Sequence, residues 1–156
     1  MIYWFTGQPC AGKTTLANKL RDYLEAKVND KDPNNRYKVY RIDGDDMREL
    51  FSNNDYSIKG RVENIGTAQR IAHYLHNQER DVIVSLVSPY IDQREDYKKL
   101  LGDNIKEIYV HTSEERERDH FKSSAYIAPK ENFIDIDTTV DTPEQSLKKI
   151  LKAIYG

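Results

Sequence analysis

Eight consecutive residues near the start of the chain, Gly7-Gln8-Pro9-Cys10-Ala11-Gly12-Lys13-Thr14, have the spacing G-x-x-x-x-G-K-T. In that pattern the glycines let successive backbone N–H groups turn inward onto phosphate oxygens. Lys13 reaches the β- and γ-phosphates, and the Thr14 hydroxyl is a ligand for Mg²⁺. Cys10 is expected to lend the cradle its backbone N–H rather than its thiol. A Gly-rich turn without a ligand has much the same composition, so the flanks decide. Ile2-Tyr3-Trp4-Phe5 is an apolar run of strand formers, and Leu16, Ala17, Leu20, Tyr23 and Leu24 recur at helical spacing. Strand, loop, helix aims a helix N-terminus at an anion. The stretch predicts a nucleoside triphosphate site.

A second group with chemical capacity is Asp43-Gly44-Asp45-Asp46-Met47-Arg48. Carboxylates this close to a phosphate site can hold Mg²⁺ directly or through water, and can orient an acceptor hydroxyl and take its proton. Asp46 reads more simply as an acid favoured by the dipole at a helix N-terminus, whereas Asp43 and Asp45 flank a glycine at a strand end and are assigned to function. Arg48 and Arg61, the latter in Arg61-Val62-Glu63-Asn64, could clamp an anionic substrate. Ser85-Leu86-Val87-Ser88-Pro89-Tyr90 follows the third strand without the terminal Asp of a switch GTPase or motor ATPase, which points to a small-molecule kinase. Arg116 and Arg118 either reach over the phosphates or pair with Glu114, Glu115 and Glu117. His73, His76, His111 and His120 show no metal spacing.

The elements that must carry these residues are strands at 2–6, 37–42, 81–86, 106–111 and 133–136, alternating with helical patterns. One pattern is Ile65, Ala68, Ile71, Ala72, Leu75; another is Leu147, Ile150, Leu151, Ile154. Thr142-Pro143-Glu144-Gln145 predicts a capped helix start, and Thr112-Ser113-Glu114-Glu115 a second. Asn29–Arg36 is a polar connection rather than a linker between domains. Strands alternating with helices give an α/β fold, a parallel sheet of about five strands covered on both faces, with ligands at the carboxyl ends of the strands.

At 156 residues the chain is expected to form a single domain, residues 1–156. A net charge of −2 argues against nucleic acid as the partner. The single cysteine excludes an internal disulfide and a cysteine-rich zinc site. The first strand begins at once and no apolar run is long enough for a membrane, so a cytoplasmic setting is expected.

In this order the motifs resemble those of adenylylsulfate kinases, P-loop enzymes that phosphorylate the 3′-hydroxyl of adenosine 5′-phosphosulfate (APS) in sulfate assimilation. Gly7–Thr15 resembles the family's loop, Asp43-Gly44-Asp45-Asp46-Met47-Arg48 its D-G-D-N-V-R, and Arg61-Val62-Glu63-Asn64-Ile65 its D-R-x-E-N-I. Ser85–Tyr90 is similar to S-x-I-S-P-Y, Arg118-Asp119 to an R-D pair before a lid, and Pro129-Lys130-Glu131-Asn132 to P-E-N. The resemblance spans about residues 2–140. It implies a P-loop kinase fold, ATP and Mg²⁺, and often a homodimer. It gives Asp45 the acceptor-hydroxyl and Mg²⁺ role, and gives Arg48, Arg61 and Asn64 the hold on the phosphosulfate and base. Tyr56 matches an aromatic that stacks on the acceptor adenine. Ser88 would lie near the transferred phosphoryl, with Pro89 and Tyr90 shaping the same wall. After Arg118-Asp119 the family carries P-K-G-L-Y and a long lid. Here His120-Phe121-Lys122-Ser123-Ser124-Ala125-Tyr126 passes straight to Pro129, with Lys122 as the candidate for the lid lysine.

The catalytic set expected is therefore Lys13, Asp43, Asp45 and Ser88. Phosphate binding falls to Gly7, Gln8, Pro9, Cys10, Ala11, Gly12, Lys13, Thr14, Thr15 and Arg118. Acceptor binding falls to Asp45, Arg48, Tyr56, Arg61, Asn64, Ser88, Pro89 and Tyr90, and Mg²⁺ to Thr14 and Asp45. APS is the leading acceptor. A nucleoside or modified nucleotide, a non-catalytic ATP-binding module and a nucleic-acid end kinase are the alternatives.

Overall fold

A computed structural model describes residues 1–114 and 123–156. Five parallel strands form one sheet in the order β2-β3-β1-β4-β5. They are β1 (Ile2–Thr6), β2 (Tyr40–Asp43), β3 (Val82–Ser85), β4 (Ile105–His111) and β5 (Ile134–Asp137). The helices among the described residues are α1 (Lys13–Asn29), α2 (Gly44–Leu50), α3 (Ile58–Asn77), α4 (Ile91–Leu101) and α5 (Pro143–Tyr155).

The central strand shows why the sheet is covered on both sides. Every residue of β1 is buried, and the period-2 alternation sends Ile2 and Trp4 to one face and Tyr3 and Phe5 to the other. On the first face they meet Met47, Ile65, Ala68 and Ala72 with Tyr97 and Leu101, from α2, α3 and α4. On the second they meet Leu16, Ala17, Leu20 and Leu24 of α1 and Ile150 of α5. Each fully buried Leu here contributes roughly 1.5–3 kcal/mol relative to exposure. The capping box at Thr142 forms as expected: the Gln145 amide donates to Thr142 Oγ1 at 3.2 Å, and the Thr142 amide donates to Gln145 Oε1 at 2.8 Å.

One local expectation is corrected. The second strand was expected over 37–42, but pairing starts at Tyr40 because its neighbour β3 starts at Val82. The preceding residues are extended yet bonded to α1. Asn29 takes the Tyr37 amide and carbonyl at 3.0 and 3.1 Å, and Glu25 Oε1 accepts from the Val39 amide at 3.0 Å. Helix α4 escaped the apolar periodicity because the middle of its inward face is Arg94, only 3% exposed. The start box read at Thr112 reaches Glu115, outside the described residues. Within them, the Glu114 amide donates to Thr112 Oγ1 at 3.1 Å.

Register brings the strand ends together: Phe5 lies beside Ser85, and Ser85 beside Asp43. The loop after β1, the Asp43 turn and the Ser85–Tyr90 segment therefore leave the sheet at one edge.

Candidate active site

The loop after β1 is a cradle set by backbone geometry. Gly7 has φ +149°, and a Cβ there would meet the Val110 carbonyl oxygen at 2.0 Å, so only glycine fits against β4. Cys10 also takes a positive φ of 60°, and Gly12, at 109°, forms the entry to α1. From the far side Thr138 Oγ1 donates to the Ala11 carbonyl at 2.6 Å, tying the loop to the end of β5. Lys13 is buried, and its ammonium donates to the carbonyls of Gly7 at 2.9 Å and Gln8 at 2.8 Å. Burial pushes its pKa down to about 8 against the opposing pull of Asp43, Cys10 and Asp45. A lysine so desolvated has few charge partners besides the two carboxylates, and a phosphate group would supply one. Thr14 and Thr15 are exposed on the first turn of α1, where the helix N-terminus favours an anion.

The Asp43 turn closes on that point. Asp43 caps α2, with Oδ1 accepting from the Asp45 amide at 3.1 Å. Its Oδ2 accepts from Ser85 Oγ at 3.1 Å and lies 3.5 Å from the Thr14 hydroxyl. Asp45 and Asp46 stand exposed in the first turn of α2. Thus Asp43, assigned a catalytic place by sequence, also sits beside the hydroxyl expected to bind metal. Hydroxyl and carboxylate oxygens are hard donors suited to Mg²⁺, which takes one or two protein ligands and leaves the rest to water and phosphates. Among the described residues there is no group of three or more His, Cys, Asp or Glu that could hold a metal ion by itself.

The acceptor candidates divide into two groups. Arg48 donates to the Asn53 carbonyl, to Asn53 Oδ1 and to the Asp55 carbonyl at 3.1–3.2 Å, and its guanidinium lies 4.1 Å from the Tyr56 ring centroid. Tyr56 is otherwise exposed, offering its other face. Arg61 and Asn64 lie on α3; Arg61 donates to Ser123 Oγ at 3.3 Å and Asn64 is buried. The second group is the turn after β3. Ser88 has φ 49°, and its hydroxyl accepts from Trp4 Nε1 at 3.1 Å in a buried setting. That hydroxyl is engaged by the indole of Trp4, and beside it Pro89 is buried and Tyr90 half-buried.

Three residues that hold this machinery were not singled out from sequence. Arg41 donates to Asn18 Oδ1, to the Ile83 carbonyl and to Ser85 Oγ, bracing the partner of Asp43. Arg94 donates to Glu107 Oε1 at 2.9 Å, to the Ser88 carbonyl at 2.6 Å and to the Ile127 carbonyl at 2.5 Å. Thr138 is the third. A signal existed for the second: Glu107 stands between Ile105 and Tyr109 at inward strand positions, and a buried carboxylate requires a cation. Arg118 and Lys122 lie outside the described residues. No helix among the described residues is long and apolar enough to cross a membrane.

The chain is similar to known proteins over nearly its whole length. The family model for adenylylsulphate kinase matches residues 1–149. An adenylyl-sulfate kinase of Staphylococcus epidermidis is 32% identical, over 97% of this chain and 82% of that protein. A cytidine diphosphoramidate kinase of Campylobacter jejuni is 28% identical, over 94% of this chain and 83% of that protein. Among solved structures, the Mycobacterium tuberculosis APS kinase in complex with AMPPNP and APS superposes with a TM-score of 0.79. It is 20% identical, over 99% of this chain and 97% of that one, which speaks for the fold. The phosphate loop, the Asp43 turn and the arginine-bearing α3 thus stand on a parallel five-stranded sheet of P-loop kinase type, and the chain belongs to the adenylylsulphate kinase family.

Proposed function

We propose that the protein transfers the γ-phosphoryl of ATP to the 3′-hydroxyl of APS, giving the 3′-phosphorylated product PAPS and ADP. The observation that supports this best is the meeting of the Thr14 hydroxyl with Asp43 Oδ2 at 3.5 Å, one residue from the buried Lys13 and two from Asp45. A sensor of ATP has no use for a carboxylate pair beside the γ-phosphate position; a kinase does.

In this reading the loop amides of Gly7–Thr15 and the Lys13 ammonium take up charge on the β- and γ-phosphates as the bond to ADP loosens. Thr14 and Asp43 would hold Mg²⁺, with Asp45 adding its charge, and the ion would supply neutralisation of the phosphate oxygens. Asp45, exposed at the start of α2, accepts the proton of the 3′-hydroxyl as that oxygen attacks in line. Arg48 and Arg61 grip the phosphosulfate, and Tyr56 stacks on the base. Arg94 holds the Ser88-Pro89-Tyr90 wall through the Ser88 carbonyl.

A second acceptor merits a place because of the cytidine diphosphoramidate kinase relative, of which this chain covers 83%. Both acceptors are nucleotides with a modified terminal phosphate, and the arginines suit either. A panel of APS, cytidine diphosphoramidate and an oligonucleotide end, each with Mg-ATP, separates them. Preference for APS by kcat/KM supports the proposal, and preference for the cytidine compound replaces the acceptor while keeping the chemistry.

A further inference from the structure

The short segment that begins at Ser123 is held in an unusual way. The side-chain amide of Gln8, inside the phosphate loop, pairs with both backbone groups of Ser123: Nε2 donates to the Ser123 carbonyl at 2.9 Å, and Oε1 accepts from the Ser123 amide at 2.9 Å. The hydroxyl of the same Ser123 accepts from Arg61 Nη1 at 3.3 Å. Three residues on, the Tyr126 hydroxyl bonds Thr6 Oγ1 at 2.9 Å, immediately before the loop. Next, the Ile127 amide donates to the Pro89 carbonyl at 3.1 Å. One short segment thus touches the nucleotide side through Gln8 and Thr6, and the acceptor side through Arg61 and Pro89.

We propose that Gln8 is a positioning residue that locks Ser123–Ile127 across the mouth of the site and so couples the phosphate loop to the acceptor-binding helix α3. The inference rests on the kinase reading above. A primary amide is the side chain that can donate to a carbonyl and accept from an amide of one residue at once. Leu would keep the volume and lose both bonds; Glu would keep only the bond from the Ser123 amide. With the segment fixed, Arg61 meets a placed Ser123, and the gap between loop and α3 is closed to bulk water, which otherwise competes with the acceptor for the phosphoryl group.

The test compares wild type, Gln8→Glu and Gln8→Leu in two readouts. The first is the ratio of ATP hydrolysis to phosphoryl transfer with APS. Loss of two amide hydrogen bonds should raise that ratio about tenfold in Gln8→Leu, with Gln8→Glu between. The second, which needs no acceptor, is backbone amide exchange at Ser123–Ile127 with and without Mg-AMPPNP. Faster exchange in Gln8→Leu, together with loss of any protection the nucleotide adds, is the expected result. An unchanged ratio overturns the proposal, even if exchange quickens, because the tether would then be structural only. If wild type does not phosphorylate APS, the proposed acceptor fails. The tether is then judged by exchange alone: nucleotide protection surviving in Gln8→Leu overturns it, and its loss supports it.

Discussion

Lys13 concentrates the electrostatics of the site, because it is buried next to two carboxylates and its pKa is held down to about 8. Removing it should cost about a hundred- to a thousand-fold in kcat, the scale of one preorganised contact to developing charge. Steady-state kinetics of Lys13→Ala measure this, and wild-type turnover in that variant would end the mechanism. The same residue predicts a pH profile. The charged form binds phosphate, so kcat/KM for ATP, which reports the free enzyme, should fall as pH rises through about 8. In the complex the triphosphate stabilises the ammonium, so kcat should fall only at higher pH. The loop was fully legible in the sequence because its chemistry is local: glycines, lysine and hydroxyl at fixed spacing. Asp43 was singled out in the sequence, but its place beside Thr14 was not legible there, since that depends on the register of β2 against β3.

Elements position these residues through contacts that a sequence pattern conceals. The turn bearing Tyr56 lies so close to α3 that a Cβ on Gly60 would fall 2.1 Å from the Asp55 carbonyl oxygen. That carbonyl also accepts from Arg48. Gly60→Ala should therefore displace Arg48 and Tyr56 and raise the acceptor KM about tenfold, equivalent to ~1.4 kcal/mol. The KM for ATP should barely move; equal changes in both would show that the turn does not serve the acceptor. Arg94 makes the opposite kind of element contact, a buried fork joining α4 to β4 and to the turn after β3. Arg94→Met should destabilise by about 3–5 kcal/mol by leaving Glu107 with Lys98 alone, and adding Glu107→Leu should recover much of that in a denaturation cycle. Helices α1, α3 and α5 were readable from apolar spacing. Helix α4 was not, because a cation occupies the position where that spacing requires an aliphatic residue.

At the scale of the whole molecule, buried ionisable groups shape stability against pH. Between about 8 and the ordinary lysine value of 10.5, the unfolded chain binds a proton at Lys13 that the folded chain has lost, so this group makes stability rise with pH. Above about 10 the sign reverses, because Tyr3, Tyr37, Tyr97 and Tyr126 are held neutral by burial while their unfolded counterparts ionise. Chemical denaturation across pH 7–11 should show the rise, and Lys13→Met should flatten it; a rise that survives the substitution assigns it elsewhere. The parallel, doubly covered sheet was legible from alternating strand and helix patterns, whereas the pairing of Gln8 with Ser123 was not, since it joins positions 115 residues apart in the chain. The most direct test of the account is the product formed from Mg-ATP and APS, separated by chromatography with the phosphate position assigned by phosphorus NMR. The account predicts PAPS, phosphorylated at the 3′-oxygen, with one ADP released for each, and loss of both in Lys13→Ala. ATP turnover with APS recovered unchanged would contradict it.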